Sequence, residues 1–520
     1  MTDHDKYPIG QQDFKTLRER GALYIDKTAF VEKIAMSGSQ YYFLARPRRF
    51  GKSLFLSTLR YFFEGQRELF KGLYIDSTDW DWESYPVLYL DFNTDKYAEK
   101  YVLEDVLETR FRDWEKKYNV IELQKTYSQR FKEIIKNAHK MTGKQVVILV
   151  DEYDKPLVGN LHQEDNFEHY RTRLASLYSN FKSSAEHIRL VFLTGVSRFS
   201  KLSVFSDLNN LNDISFDDAF ADICGITEKE LLDNFQDGIE NLALKRREDF
   251  ASTCQRLKQN YDGYRFAPEG SDIYNPWSLL NCMQKGRIGS YWNATGAASI
   301  VAEVLHNADV DIEKILNAHW KLGRLAGLDL RNANPTAMLF QTGYLTIANY
   351  NMDYDEILLK VPNDEVREGL FNDLLPLYVN CKEEWAEDVV YKIKMAIRNG
   401  MPDELMNNLI AYFAGIPYEM KMENENNFHN AFYILMTLIG IDAKTEVHTS
   451  DGSLDLLIET PKFIYIIELK YDSSPVQALQ QIEEKGYALR FSTDSRELFK
   501  IGVNFSSEKR RIDSWKINSK

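Results

Sequence analysis

Cysteine is scarce in this chain, with four among 520 residues, at positions 224, 254, 282 and 381. No two form a C-x-x-C pair, so neither a zinc site nor a disulfide framework is indicated, and the thiols read as reduced. The nine histidines contain no H-x-x-x-H pair, which removes the usual helical signature of histidine metal sites. Long apolar runs are missing too. The longest, Phe432 to Ile441, is about half of what a membrane span needs. The start, Met1-Thr-Asp-His-Asp-Lys6, is polar and is followed by no apolar signal core, so a cytoplasmic protein without a membrane partner is expected. Positive charge is in deficit: the net charge is −14. A protein that coats nucleic acid nonspecifically is thereby disfavoured, and any such contact is confined to a local groove or one domain. No internal repeat or low-complexity tract interrupts the chain.

What is present is a soluble globular composition, 44% apolar and 27% charged, over a length that implies two to four domains. Up to about residue 225, short β-branched and aromatic runs (41–45, 87–92, 146–150, 190–194) alternate with helix-length amphipathic stretches such as 101–118 and 131–141. A further strand is expected near 210–216. Alternation of this kind predicts a doubly wound parallel α/β sheet. Residues 226 to 330 read as mostly helical. A helix near 337–341, a β-pair at 344–349 and 356–361, and a helix after Asn363 then suggest either a winged-helix module or a plain helical lid. A charged helical segment, 382–408, leads to a last region with a helix at 426–440, strands at 444–448, 454–459 and 463–470, and a helix from Val476.

The chemistry concentrates in two places. Arg46-Pro-Arg-Arg-Phe-Gly-Lys-Ser53 lies between a strand and a helix, the setting of a phosphate-binding P-loop. There Gly51 and the helix N-terminus cradle phosphate, Lys52 meets the β/γ-phosphates and Ser53 reaches Mg²⁺. The usual first glycine of G-x-x-x-x-G-K-[ST] is Arg46, which adds bulk where glycine permits close approach of phosphate, and Pro47 removes one N–H donor. Arg48 and Arg49 add positive charge beside the phosphates. Binding survives these changes better than turnover does. The apolar run 146–150 leads into Asp151-Glu152, the Walker B arrangement, in which Asp151 holds the Mg²⁺ shell and Glu152 polarises water. Thr194, ending the next strand, fits a γ-phosphate sensor or a plain strand cap. Arg198 fits a phosphate contact, in cis or across a homo-oligomer interface, or a surface ion pair.

In the last region, a hairpin symmetric about Pro461/Lys462 sets Asp455 opposite Glu468, with Lys470 on the same face. Two carboxylates and the Leu469 carbonyl then offer oxygen ligands to Mg²⁺, and Lys470 a water-activating amine. An ordinary cross-strand ion pair has the same pattern. Glu446 is a further ligand candidate.

Tyr24-Ile-Asp-Lys-Thr28, the 46–53 loop, Asp151-Glu-Tyr-Asp-Lys-Pro156, Leu193-Thr-Gly-Val-Ser197, Tyr261-Asp-Gly-Tyr264 and Tyr274-Asn-Pro-Trp277 together resemble the bacterial AAA-ATPase-like family. Its members often carry a C-terminal PD-(D/E)XK nuclease-like domain, and in them the Arg-Pro-Arg-Arg-Phe loop is the usual form. Residues 478–487 resemble the family's Q-I-x-x-x-x-Y helix, which puts Gln481 and Tyr487 beside the metal site. The family pattern often has Gly-Arg where this chain has Gly452-Ser453.

The resemblance implies an ATP-binding, ATP-hydrolysing P-loop domain (1–225), a helical lid with winged-helix character (226–385) and a restriction-endonuclease-like α/β domain with a leading helical segment (386–520). ATP and Mg²⁺ are the implied cofactors, and nucleic acid, DNA in preference to RNA, the implied partner. A nucleotide-gated regulatory or binding protein without nuclease turnover, or an ATPase alone, would use the same residues.

Overall fold

In the computed structural model the chain forms two compact units. One comprises residues 1–295 and 316–366, the other 296–315 and 367–520. The structure describes residues 6–94, 96–97, 99–121, 126–160, 163–197, 210–292, 305, 310–316, 318–325, 334–379, 383–414, 425–439, 442–449, 452–506 and 511–519.

The first unit is built on five parallel strands: β1 (Tyr41–Ala45), β2 (Val87–Asp91), β3 (Val146–Asp151), β4 (Ile188–Gly195) and the two-residue β5 (Asn212–Asp213). Their order is β2-β3-β4-β1-β5, so β4 lies between the P-loop strand β1 and the Asp-Glu strand β3. All of β1 and β3 is buried. Helices cover both faces of such a sheet, which is why these strands read as unbroken apolar runs. The helices Val102–Lys117, Tyr127–Thr142 and Glu164–Ser183 pack Phe111, Phe131, Ile135 and Phe181 into one core with Leu88, Ile148 and Val191. The Tyr127–Thr142 helix begins at Thr126, whose side chain and that of Gln129 form a reciprocal capping box, and ends at Gly143 in the left-handed region (φ 68°). The strand expected at 210–216 is reduced to β5.

The rest of this unit is mainly helical, with a small two-stranded ladder, β6 (Ile226–Thr227) and β7 (Ile273–Tyr274). It closes with the Pro335–Thr342 helix and a three-stranded antiparallel sheet. That sheet comprises β8 (His319–Lys321), β9 (Thr346–Asn351) and β10 (Glu356–Lys360), ordered β8-β10-β9. The predicted helix and hairpin are present; β8 adds a third strand.

The second unit carries helices Glu383–Arg398, Pro402–Ala414 and Glu425–Ile439 ahead of a five-stranded mixed sheet. Its strands are β11 (Asp442–Thr449), β12 (Gly452–Glu459), β13 (Phe463–Tyr471), β14 (Glu497–Ser506) and β15 (Arg511–Ser519), in chain order. Only β13 and β14 are parallel, and the Pro475–Glu484 helix lies between them in the chain. Its Ala478, Leu479 and Ile482 are buried, and Leu479 and Ile482 pack with Leu457, Ile464, Ile466 and Tyr487. No described helix is long and apolar enough to cross a membrane.

Candidate functional site

The loop after β1 turns tightly. Arg49 has φ 69°, and Gly51, capping the Lys52–Phe63 helix, has φ 100°. An added Cβ at Gly51 would meet nothing within 4 Å, so glycine is required there by backbone angle and not by space. Lys52 is buried, with its ammonium donating to the carbonyls of Arg46 (3.0 Å) and Pro47 (3.1 Å). It lies 3.4 Å from the Glu152 carboxylate.

Asp151, at the end of β3, is buried and forms the centre of a small polar knot. The Thr194 hydroxyl donates to it at 2.6 Å. The Ser53 and Tyr89 hydroxyls lie near its carboxylate. Burial pushes the Asp151 carboxyl above its usual range, against the Ser53 and Thr194 hydroxyls, which favour the anion. Lys52, Ser53 and Asp151 thus converge as their positions in the sequence suggested, with Glu152 and Thr194 beside them. Arg198 lies outside the described residues.

Lys52, Ser53, Glu152, Arg48 and Arg49 line a cavity of about 400 Å³. Leu23, Ile25, Ile226, Trp277 and Leu280 also line it, so cationic and hydroxyl side chains and apolar walls share one space of ligand size. The Arg49 guanidinium stacks 4.2 Å over the Trp277 ring. Lys155 lines the cavity as well, its ammonium held by the Asn93 carbonyl (3.2 Å) and side chain.

Arg46 corrects the sequence reading. Instead of crowding the phosphate position, its side chain is 1% exposed and turned into the fold. It donates to the carbonyls of Ala45, Ser215 and Phe220 and stacks 4.4 Å over Phe266. Arg46 is therefore a buried strut under the loop. Arg48 and Arg49 face the cavity.

In the second unit, β12 and β13 pair from Glu459↔Ile464 to Leu456↔Ile467, the register of a hairpin centred on Pro461/Lys462. Continued by one residue it sets Asp455 opposite Glu468. The ladder pairs Thr445↔Leu456 and Val447↔Leu454 bracket Glu446 and Asp455 in the same way. The side chains of Glu446 and Asp455 lie outside the described set. Glu468 is 1% exposed; Gln481 donates to its carboxylate, Lys470 donates to the Gln481 carbonyl, and the Lys470 ammonium lies 3.6 Å from Glu468. Glycine explains how a helix residue reaches a strand here. Gly502 is the ladder partner of Glu468, and a Cβ on it would sit 2.1 Å from the Pro475 carbonyl. The bare backbone lets the first turn of the Pro475–Glu484 helix lie on the sheet, which brings Gln481 over β13. Tyr487, expected beside the site, is buried in the apolar cluster of Ile464, Ile466 and Ile482.

Among the described residues no group of three or more His, Cys, Asp or Glu side chains converges as a metal cluster. The donor chemistry still fits divalent cations in both places. Ser53 and Asp151 present a hydroxyl and a carboxylate in contact, and Glu468 sits in register with Asp455 beside the Leu469 carbonyl. Sequence reasoning did not single out Tyr89, Tyr153, Asp154 or Lys155; the Asp151–Pro156 run that holds three of them was legible only as a motif.

A parallel sheet with β4 between the two nucleotide-motif strands, joined in one chain to a mixed sheet carrying Glu-x-Lys, defines a P-loop protein with a nuclease-type domain. The chain belongs to the AAA-ATPase-like proteins that carry a C-terminal domain of the PD-(D/E)XK nuclease superfamily. The family model described as a predicted AAA-ATPase matches residues 8–205, and that of the PD-(D/E)XK nuclease superfamily matches 423–515. The chain is also similar to a protein of Azotobacter chroococcum mcd 1, named "Uncharacterized protein in vnfD 5'region". The two are 33% identical over 525 residues, which span 99% of each.

Proposed function

We propose that the first unit binds ATP with Mg²⁺ and hydrolyses it, and that the C-terminal domain cleaves nucleic acid, DNA in preference to RNA, with Mg²⁺. The observation that carries the nucleotide reading is one cluster in which Lys52, Ser53 and Glu152 line the cavity and Asp151, bonded to Thr194, lies buried behind them. In this reading Lys52, Arg48 and Arg49 hold phosphate oxygens. Ser53 and Asp151 hold the cation, Glu152 takes a proton from the attacking water, and Thr194 senses the γ-phosphate. Arg198 is retained as a further phosphate contact.

In the C-terminal domain Asp455, Glu468 and the Leu469 carbonyl would ligate Mg²⁺, which supplies charge to polarise a phosphodiester and acidify water. Lys470 orients or deprotonates that water, and Gln481 fixes both Lys470 and Glu468 through its two amide atoms. We assign three domains, 1–225, 226–385 and 386–520, to a cytoplasmic protein.

A second reading, nucleotide-gated binding without turnover, is favoured by one feature. The Lys52 ammonium is already held by two loop carbonyls and the Glu152 carboxylate, a resting arrangement that a sensor would use. Mg²⁺-dependent cleavage of DNA and RNA by wild type, Lys52→Ala and Lys470→Ala separates the two. Loss of cleavage in Lys470→Ala supports the nuclease, and absence of wild-type cleavage on every substrate, with and without ATP, sinks it.

A further inference from the structure

The turn after β3 and the turn after β4 are bonded to each other by the two residues that follow Glu152. Glu152 itself has φ 53°, a left-handed bend that sends the chain back under the site. As a result Glu152 and Lys155 line the cavity while Tyr153 and Asp154 point into the protein, 0% and 1% exposed. The Tyr153 amide donates to the Thr194 carbonyl (3.0 Å), and its hydroxyl donates to the Ser197 carbonyl (2.8 Å). The Asp154 carboxylate accepts from the backbone amides of Val196 (3.1 Å) and Ser197 (2.6 Å). Gly195 sits between them without room for a side chain: an added Cβ would lie 2.6 Å from the Tyr153 ring and 2.7 Å from the Asp154 carboxylate.

We propose that Tyr153 and Asp154 are positioning residues that lock residues 194–197 to the Asp151-Glu152 turn, and so hold Thr194 in place on Asp151. The inference rests on the nucleotide reading above for its catalytic consequence, but the lock itself does not. A buried carboxylate satisfied by two successive backbone amides is an anion nest. Its charge-assisted bonds are stronger than those an amide side chain makes. Tyr153 adds a second tie and a rigid packing face, its ring standing edge-on to Phe43 of β1 at 5.3 Å. Strands β1, β3 and β4 thereby end in one braced piece. A phosphate that moves Glu152 or Thr194 must move both turns together. The Asp-Glu-Tyr-Asp run thus divides its labour by direction: position 152 lines the cavity, position 151 is buried against Thr194, and positions 153 and 154 hold the neighbouring turn.

Asparagine at 154 keeps the shape and one acceptor oxygen for the two amides but removes the charge, so charge-assisted bonds become weaker neutral ones. Amide hydrogen exchange on the nucleotide-free full chain tests the lock. Asp154→Asn should speed exchange at Val196 and Ser197 by about tenfold or more, while the amides of β3 and β4 stay as protected as in wild type. Unchanged exchange at 196 and 197, or a uniform rise through both strands, overturns the proposal.

ATP turnover tests the consequence. Asp154→Asn should lower kcat by about ten- to a hundredfold with KM within about threefold, and Tyr153→Phe, which keeps the ring packing, should lower it by a smaller factor. A kcat equal to wild type in both variants overturns the positioning role. Should Asp154→Asn fail to fold, Tyr153→Phe carries both measurements. A wild-type chain that turns over no ATP defeats the hydrolysis reading alone, and the exchange result still decides the lock.

Discussion

The two sites differ in how their polar groups are held. Around Asp151 the carboxylate is buried on strand β3, bonded to Thr194 of β4 and neighboured by Tyr89 of β2 and Ser53 of the P-loop helix. Around Glu468 the carboxylate is equally buried, and its partners include one helix residue, Gln481, and the half-buried Lys470. The first is a knot tied by four elements; the second is a strand face with a helix laid over it. Rigidity in the first comes from hydrogen bonds, and in the second from the close approach that Gly502 permits. Substitutions at the first should therefore act mostly on chemistry, and at the second mostly on the placement of a helix.

The largest expected effect tests the chemistry of the knot. Glu152→Gln removes the proposed base while leaving Lys52, Ser53 and Asp151 in place. ATP hydrolysis should fall by about 10²- to 10³-fold with nucleotide affinity retained. Phosphate release and equilibrium binding of a fluorescent nucleotide, measured side by side, check it. A parallel loss of both would mean that Glu152 holds the loop through Lys52 and does not act on water.

Arg46 sharpens the same contrast from below the loop. Arg46→Met strands backbone carbonyls that the guanidinium now satisfies. Denaturant unfolding of the first unit should show a loss of about 3 kcal/mol. Arg49→Ala, by contrast, should weaken nucleotide binding and cost little stability. If Arg46→Met leaves stability unchanged, the strut reading is wrong.

These residues also mark where the sequence was legible. Gly51, Lys52, Ser53, Asp151 and Thr194 were assigned places because strand ends and helix starts carry local signals, and the hairpin centre at 461/462 fixed the Glu468 register by symmetry alone. Arg46 was misread because a side chain's direction depends on what the rest of the fold offers it, here the carbonyls of residues 215 and 220, far along the chain. Asp154 was missed for the same reason: its partners lie on the next strand end. Strands β14 and β15 were not predicted, since Gly502 and Asn504 interrupt the apolar run of β14 and β15 has no clean alternation. Gly502 is a packing requirement of the neighbouring helix, and a single sequence does not display it.

A smaller effect is expected at that glycine. Gly502→Ala puts a methyl group where the Pro475 carbonyl lies, so the helix must lift and Gln481 must withdraw from Glu468 and Lys470. Nucleic-acid cleavage should fall by about tenfold to a hundredfold, with ATP hydrolysis unchanged. Replacing Gln481 by alanine in the same background should then add little, because the contact is already lost. Full additivity of the two would show that the helix had not moved.

The smallest effect separates the knot from its brace by pH. Burial, and next the neighbouring Glu152 charge, raise the Asp154 carboxyl to about 6, against Lys52 and the Ser197 amide, which favour the anion. The buried Tyr178 feels the same charge. In the unfolded chain this group titrates near 3.8, so between pH 4 and 6 the folded protein binds more protons than the unfolded one. The stability this group contributes is therefore present below about pH 4 and is lost as pH rises through 6. From pH 5 to 7 the first unit of wild type should lose on the order of 1 kcal/mol relative to Asp154→Asn, which has no such proton. Urea midpoints for both proteins at the two pH values isolate the difference, because every other carboxylate is common to them. Equal slopes would mean that Asp154 keeps its charge across this range, held by the two amides more strongly than burial opposes it.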